Sequence, residues 1–215
     1  MKINIAGHTM MLLPQKAIWE PENKYLIISD CHLGKVEHFR ASGIGLPINA
    51  IDDTINKLKS LLQTFEPNHV IFLGDLFHSI KNESFEKLKI LIANHKIIDF
   101  SLIVGNHDIM NKDDYSTLGL SVYDEMFYGN LWLTHEPQAE VRHGLYNLAG
   151  HIHPGIRLKG TAKQSISLPC FYFGQNTGIL PAFGYFTGKH LIKADKKSRI
   201  FAISENNIYN VSSPA

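Results

Sequence analysis

Several apolar runs in this sequence stop and are followed at once by residue types that bind metals. Leu26-Ile27-Ile28-Ser29 leads into Asp30-Cys31-His32, Val70-Ile71-Phe72-Leu73-Gly74 into Asp75, and Leu102-Ile103-Val104-Gly105 into Asn106-His107-Asp108. Leu131-Trp132-Leu133-Thr134 leads into His135, and Leu148-Ala149-Gly150 into His151-Ile152-His153. Singly, each has an ordinary explanation: Asp30 and His32 as solvated loop residues, Asp75 as a turn or helix cap, His135 as a satisfied core histidine. Asn106-His107-Asp108 is a stronger signal, because three polar residues directly follow a buried run. His151 and His153 alternate in extended chain, point to one side and suit chelation. The ordinary explanations would all have to hold together, and this argues instead for one shared site. Its donors are His32, His135, His151, His153, Asp30, Asp75 and the amide carbonyl of Asn106, nitrogen and oxygen ligands with no thiolate. That mixture suits manganese, iron(II), zinc or nickel and is too rich in histidine for a calcium cage. It also exceeds what one four-coordinate zinc uses. The expectation is two divalent ions, Mn2+ ahead of Zn2+, Fe2+ or Ni2+, about 3.5–4 Å apart and sharing a carboxylate. Such a pair makes hydroxide at neutral pH and clamps a phosphate.

These residues need a frame that brings strand ends together. Tyr25–Ser29, Val70–Gly74 and Phe100–Val104 read as buried strands. Between them lie two amphipathic helices. One is capped by Asn49, with Ile51, Ile55, Leu58 and Leu62 on one face, and ends before Pro67; the other spans Glu83–Asn94. Strand, helix, strand, helix, strand predicts an α/β sheet with right-handed crossovers, and in such sheets ligands bind at the carboxyl ends of the strands. Gly74, Gly105 and Gly150 stand where the chain must turn close to a ligand. After Asn106 the texture becomes β-rich, with strands expected at Leu131–Thr134, Leu145–Ala149, Ile166–Phe173, Phe183–Thr187 and Ile200–Ser204. No linker or repeat divides the chain. Residues 1–215 are expected to form one domain, its motifs within about residues 24–190.

Composition narrows the class. The chain has 215 residues, formal net charge +1 at pH 7, 19% charged and 44% hydrophobic residues, which excludes disorder and a globally basic nucleic-acid binder. Its apolar runs fall far short of the roughly 18 residues that span a bilayer. Asn4, Gly7, His8 and Pro14 interrupt any leader-like stretch, so a soluble, cytoplasmic protein is expected. Cys31 and Cys170 make no disulfide framework and read as reduced, partly buried thiols. Lys189, Lys193, Lys196, Lys197 and Arg199 form a local basic strip that could track a nucleic-acid backbone or be a solvated tail.

Asp30-x-His32, Gly74-Asp75, Gly105-Asn106-His107-Asp108, His135 and Gly150-His151-x-His153 together closely resemble the calcineurin-like metallophosphoesterase superfamily. Longer stretches resemble, within it, the ligase-associated DNA damage response endonuclease family. These are Asp30–Lys35, Phe39-Arg40-Ala41, Gly74–Ser79, Gly150–Pro154, Leu168–Phe171 and Leu180–Gly188. The resemblance implies an α/β four-layer metallophosphoesterase sandwich, two mixed β-sheets flanked by helices. It implies that Asp30, His32 and His153 bind one ion, that Asn106, His135 and His151 bind the other, and that Asp75 bridges them. It implies a bridging hydroxide as nucleophile and His107 as general acid, oriented by Asp108 or by His78, which stands where many relatives carry an aspartate. Lys35, Arg40 and His78 become candidate substrate contacts. The function expected is a two-metal phosphodiesterase, a DNA nuclease in repair with a functional link to a DNA ligase. The alternatives are a phosphatase or phosphodiesterase acting on small nucleotides, and a non-catalytic interaction scaffold on the same fold. The scaffold would have lost ligands or His107, and this chain has not.

Overall fold

The computed structural model describes the chain except residues 42, 44–48, 79–82, 161–163, 186, 194, 196 and 213–215, and except the side chains of residues 38, 40, 41 and 49–52. Its first half makes one seven-stranded sheet in chain order: β1 (Lys2–Ile5), β2 (His8–Leu13), β3 (Ala17–Glu20), β4 (Tyr25–Ile28), β5 (His69–Leu73), β6 (Asp99–Ile103) and β7 (Leu120–Tyr123). Strands β1 to β4 are antiparallel, and β4 to β7 are parallel. The helices are α1 (Lys35–Ala41), α2 (Asn49–Phe65), α3 (Glu83–Ala93) and α4 (Lys112–Thr117). Parallel neighbours need crossovers, and α2 and α3 provide the two that follow β4 and β5.

Side chains alternate across the parallel strands. Leu26 and Ile28 of β4, Val70 and Phe72 of β5, and Phe100 and Leu102 of β6 meet Ile55, Leu58, Leu62, Phe85, Leu88 and Ile92 of the helices in one core. Ile27, Ile71, Leu73 and Ile103 face the other way. There they join Leu131, Leu133, Leu148, Phe171, Phe173 and Phe201 of a second sheet.

That nine-stranded sheet comprises β8 (Met126–Tyr128), β9 (Leu131–Leu133), β10 (Tyr146–Ala149), β11 (Pro154–Lys159), β12 (Ser165–Phe173), β13 (Thr177–Ile179), β14 (His190–Leu191), β15 (Arg199–Ser204) and β16 (Asn207–Asn210). The α/β sandwich of two mixed sheets is therefore as expected. Its helical cover is one-sided, for no helix follows Thr117 among the described residues. The described residues of the expected strand Phe183–Thr187 are not in a strand, and residue 186 lies outside them. The Phe183 and Gly184 amides donate to the Ser29 and Asp30 carbonyls at 2.8 and 3.0 Å, which ties this segment to the loop after β4 instead of to a sheet edge. Cys31 and Cys170 are both buried and unbonded to each other. No helix among the described residues is long and apolar enough to cross a membrane.

Candidate metal centre

The carboxyl ends of β4, β5 and β6 in one sheet meet those of β9 and β10 in the other, and there the expected residues converge. The His32 and His153 Nε2 atoms are 3.2 Å apart, and His153 Nε2 is 3.2 Å from Asp30 Oδ1. His135 Nε2 and His151 Nδ1 are likewise 3.2 Å apart. Between the two pairs stands Asp75, with Oδ2 3.7 Å from His32 Nε2 and Oδ1 3.4 Å from His135 Nε2. Asp30, His32 and His153 form one group able to hold a metal ion, and Asp30, Asp75 and His135 another. The donor chemistry fits cations: two imidazole nitrogens that face each other hydrogen-bond only when one is protonated and the other is not, whereas a shared ion takes the lone pairs of both and of the carboxylates beside them. The buried Nδ1 of His32 has no hydrogen-bond partner.

Local backbone strain sets these groups in place. Asp30, His32, Asp75, His151 and His153 all have positive φ, between 45° and 64°, a conformation that costs on the order of 1–3 kcal/mol for a side-chain-bearing residue. Hydrogen bonds hold it. The His151 amide donates to both Asp30 carboxylate oxygens, at 3.0 and 3.2 Å. The His107 amide donates to Asp75 Oδ1 at 2.9 Å, the Asp30 amide to the Gly74 carbonyl at 3.1 Å, and the His32 amide to the Asp75 carbonyl at 2.9 Å. The Ser29 hydroxyl donates to Asp30 Oδ2. His135 bonds through Nδ1 to the Leu73 carbonyl at 2.8 Å, which leaves Nε2 as the donor facing the centre. The glycines make room for these contacts. A Cβ on Gly150 would lie 1.6 Å from Ser29 Oγ, and one on Gly74 would lie 2.2 Å from His135 Nδ1.

Electrostatics follow from this packing. Burial alone would raise the Asp30 carboxyl, but the His153 bond and charge, with Ser29, outweigh it and hold it below the usual range. Burial lowers the His32 imidazole to about 3, so it stays neutral, as a ligand must be. Lys35 is also lowered, by burial, with the Asp75 charge opposing.

The remaining expected residues divide. Asn106 is exposed and lines a cleft with His135 and Glu136. His107 is exposed, its ring 5.4 Å from that of His32 and 5.2 Å from that of His78. Lys35 borders a small cleft with His32. Arg40 lies in α1, with its side chain outside the described ones. Asp108 turns inward: Oδ1 accepts from the Leu76 and Phe77 amides at 3.0 and 3.3 Å, and Oδ2 from the Gly105 amide at 2.9 Å. Burial raises this carboxyl to about 6 against those hydrogen bonds. It braces the Asp75 loop against the Asn106 loop, and its bonds run to backbone, not to the His107 ring. Sequence reasoning missed Ser29 as a support, since one serine before Asp30 carries no spacing signal.

The sequence matches the family model for calcineurin-like phosphoesterases over residues 24–201. No curated protein matches it. Among solved structures, the crystal structure of Pseudomonas putida nuclease MPE is similar, with a TM-score of 0.82 and 29% sequence identity over 98% of this chain and 99% of that one.

Proposed function

Because this chain belongs to the calcineurin-like phosphoesterase family, we propose that it is a two-metal phosphodiesterase that cuts DNA during repair, in functional association with a DNA ligase. The observation that carries the two-ion reading is Asp75, whose two carboxylate oxygens face two separate histidine groups. Asp30, His32 and His153 would hold one ion and Asn106, His135 and His151 the other, with Asp75 shared between them and Mn2+ as the ion. When bound, such a pair supplies a nucleophilic hydroxide at neutral pH and positive charge against the phosphoryl oxygens. The resemblance of the whole chain to a nuclease supports nucleic acid as the substrate.

The protein's own groups do the rest. His107, on the open side of the centre, protonates the departing sugar oxygen; for an alkoxide leaving group this contributes roughly 10²–10⁴-fold. His78, ring to ring with His107, is placed to orient it. Lys35 and Arg40 are the contacts proposed for the incoming phosphate. The test is a panel of single- and double-stranded DNA, an aryl phosphodiester and a phosphomonoester, with manganese supplied. DNA and the aryl diester should be hydrolysed in preference to the monoester. Efficient hydrolysis of a nucleotide monoester with every DNA form left intact would overturn this reading in favour of a small-nucleotide phosphatase.

A further inference from the structure

A second polar cavity, of about 470 Å3, opens beside the metal centre and contains none of its ligands; Lys16, Lys57, Ser167, Tyr185 and Lys189 line it. Strand register puts it on the same edge of the sandwich as the centre. In the first sheet, Ala17 at the start of β3 is opposite Ile28 of β4, so the Lys16 corner is level with the chain leading into Asp30. In the second, Ile179 is level with Ala149 of β10, and Tyr172 of β12 is level with Ile179. From there β12 reaches Ser167 in the direction of His151. Contacts join the two sites as well. The Lys57 ammonium donates to the Phe183 carbonyl, and the Phe183 amide donates to the Ser29 carbonyl. The His190 amide, next to Lys189, donates to the His153 carbonyl at 3.0 Å. Tyr185 lines this cavity and also the cleft of His32 and Lys35.

The cavity is basic, with three lysines and one glutamate among its lining residues. None of the three lysines is ion-paired among the described residues, although Glu205 lines the cavity rim and Asp53 lies near Lys57. Burial first, then repulsion from Lys189, lowers the Lys16 ammonium to about 8; burial and then Lys16 lower Lys57 to about 7. Lys57 is already held by the Phe183 carbonyl and lies over the Phe183 and Tyr185 rings, 3.8 and 4.6 Å from their centroids, so Lys16 and Lys189 are the cations most open to an anion. The opposite flank of the centre, beside Asn106 and His135, carries Asp124, Glu125 and Glu136 and repels one. The basic strip expected from sequence is divided by the fold. Lys189 belongs to this cavity, whereas Arg199 pairs with Phe173 and reaches the Asn4 carbonyl at the far end of the sheets; Lys196 lies outside the described residues.

We infer that the Lys16–Lys57–Lys189 cavity holds backbone phosphates of the DNA strand on one side of the bond to be cut, with the exposed Tyr185 ring under an adjoining base. The inference rests on the nucleic-acid reading above. An exposed ring beside a cationic groove is how single strands are held without regard to sequence, and the acidic flank fixes on which side of the centre the longer strand lies.

The test compares the manganese-loaded parent with Lys16→Gln/Lys189→Gln and, separately, Tyr185→Ala, on a single-stranded oligonucleotide and on an aryl phosphodiester too small to reach the cavity. For the double variant, KM for the oligonucleotide should rise several-fold. Its dependence on salt should flatten by about 0.7 unit of log–log slope per lysine, the value for a single strand. Tyr185→Ala should raise KM for the oligonucleotide without changing the slope, and hydrolysis of the aryl diester should stay at the parent rate in the double variant. Unchanged KM and slope for the oligonucleotide would overturn the inference and leave the nuclease reading standing. An equal loss on the aryl diester would also overturn it, since the lysines would then serve the fold or the centre. A parent that cleaves the aryl diester but neither binds nor cuts DNA would remove both readings.

Discussion

His107 and Asp108 are adjacent in sequence and opposite in environment, and their variants should behave accordingly. His107→Ala should keep its metal content and lose turnover, most for DNA, where the leaving alkoxide needs a proton, and least for an activated aryl diester. A leaving-group series measures this, and an equal loss along the series would remove His107 as the acid. Asp108→Asn should be mainly a stability variant. An amide has one acceptor oxygen where the carboxylate uses two, so at least one of the Leu76, Phe77 and Gly105 amides would face an N–H instead. Leaving such a buried group unsatisfied costs about 1–3 kcal/mol, readable in the midpoint of urea unfolding. The convergence of Asp30, His32, Asp75, His135, His151 and His153 was legible in the sequence because each is a distinctive residue type close after an apolar run. The inward turn of Asp108 was not, since nothing about Asn106-His107-Asp108 says which polar side chain faces the protein. Lys16, Lys57 and Lys189 were illegible as a group for a related reason: surface lysines are common, and only strand register brings these three to one cavity.

The segment Phe183–Tyr185 behaves as a strap over the loop that carries Asp30. A Cβ on Gly184 would stand 2.2 Å from the Cys31 carbonyl oxygen, a backbone atom that cannot rotate away. Gly184→Ala should therefore push the strap off the loop. We expect lower metal affinity and lower activity with near-native far-ultraviolet circular dichroism, and activity equal to the parent would show that the strap is not needed. Its reading as a strand failed because a short apolar run flanked by Pro181 and Gly188 has the pattern of an edge strand; its partner is a loop that sequence alone does not place. The parallel strands β4, β5 and β6 and helices α2 and α3 fell within a residue or two of expectation, because buried strands are uniformly apolar and the helices show a clear one-sided stripe. Strands β1 to β3 carried no comparable signal. Met10, Leu12 and Ile18 serve the inter-sheet core while Leu13, Ala17 and Trp19 serve the helical one, so both faces are apolar and no alternation shows.

The proposed metal ligands come from both sheets, so metal binding should be coupled to the stability of the sandwich. A ligand that binds only the folded state adds about 2.7 kcal/mol at a hundred times its dissociation constant. Removing metal with a chelator should therefore lower the thermal midpoint of the parent by several degrees. Asp75→Ala should retain little metal and show only a small further shift; metal analysis finding two ions retained in that variant would refute its shared position. The same arrangement has a consequence for how the chain is made. Asp30 meets His151, and His32 meets His153, across 121 residues of sequence. At ribosomal speeds of about 5–20 residues per second, the second half of the centre follows the first by roughly 6–24 s. During that interval the nascent first sheet offers Ile27, Ile71, Leu73 and Ile103 with no partner layer, and an incomplete ligand set. A newly made chain should thus depend on chaperones until the second sheet follows, and should take up its full complement of metal only after His153 has emerged.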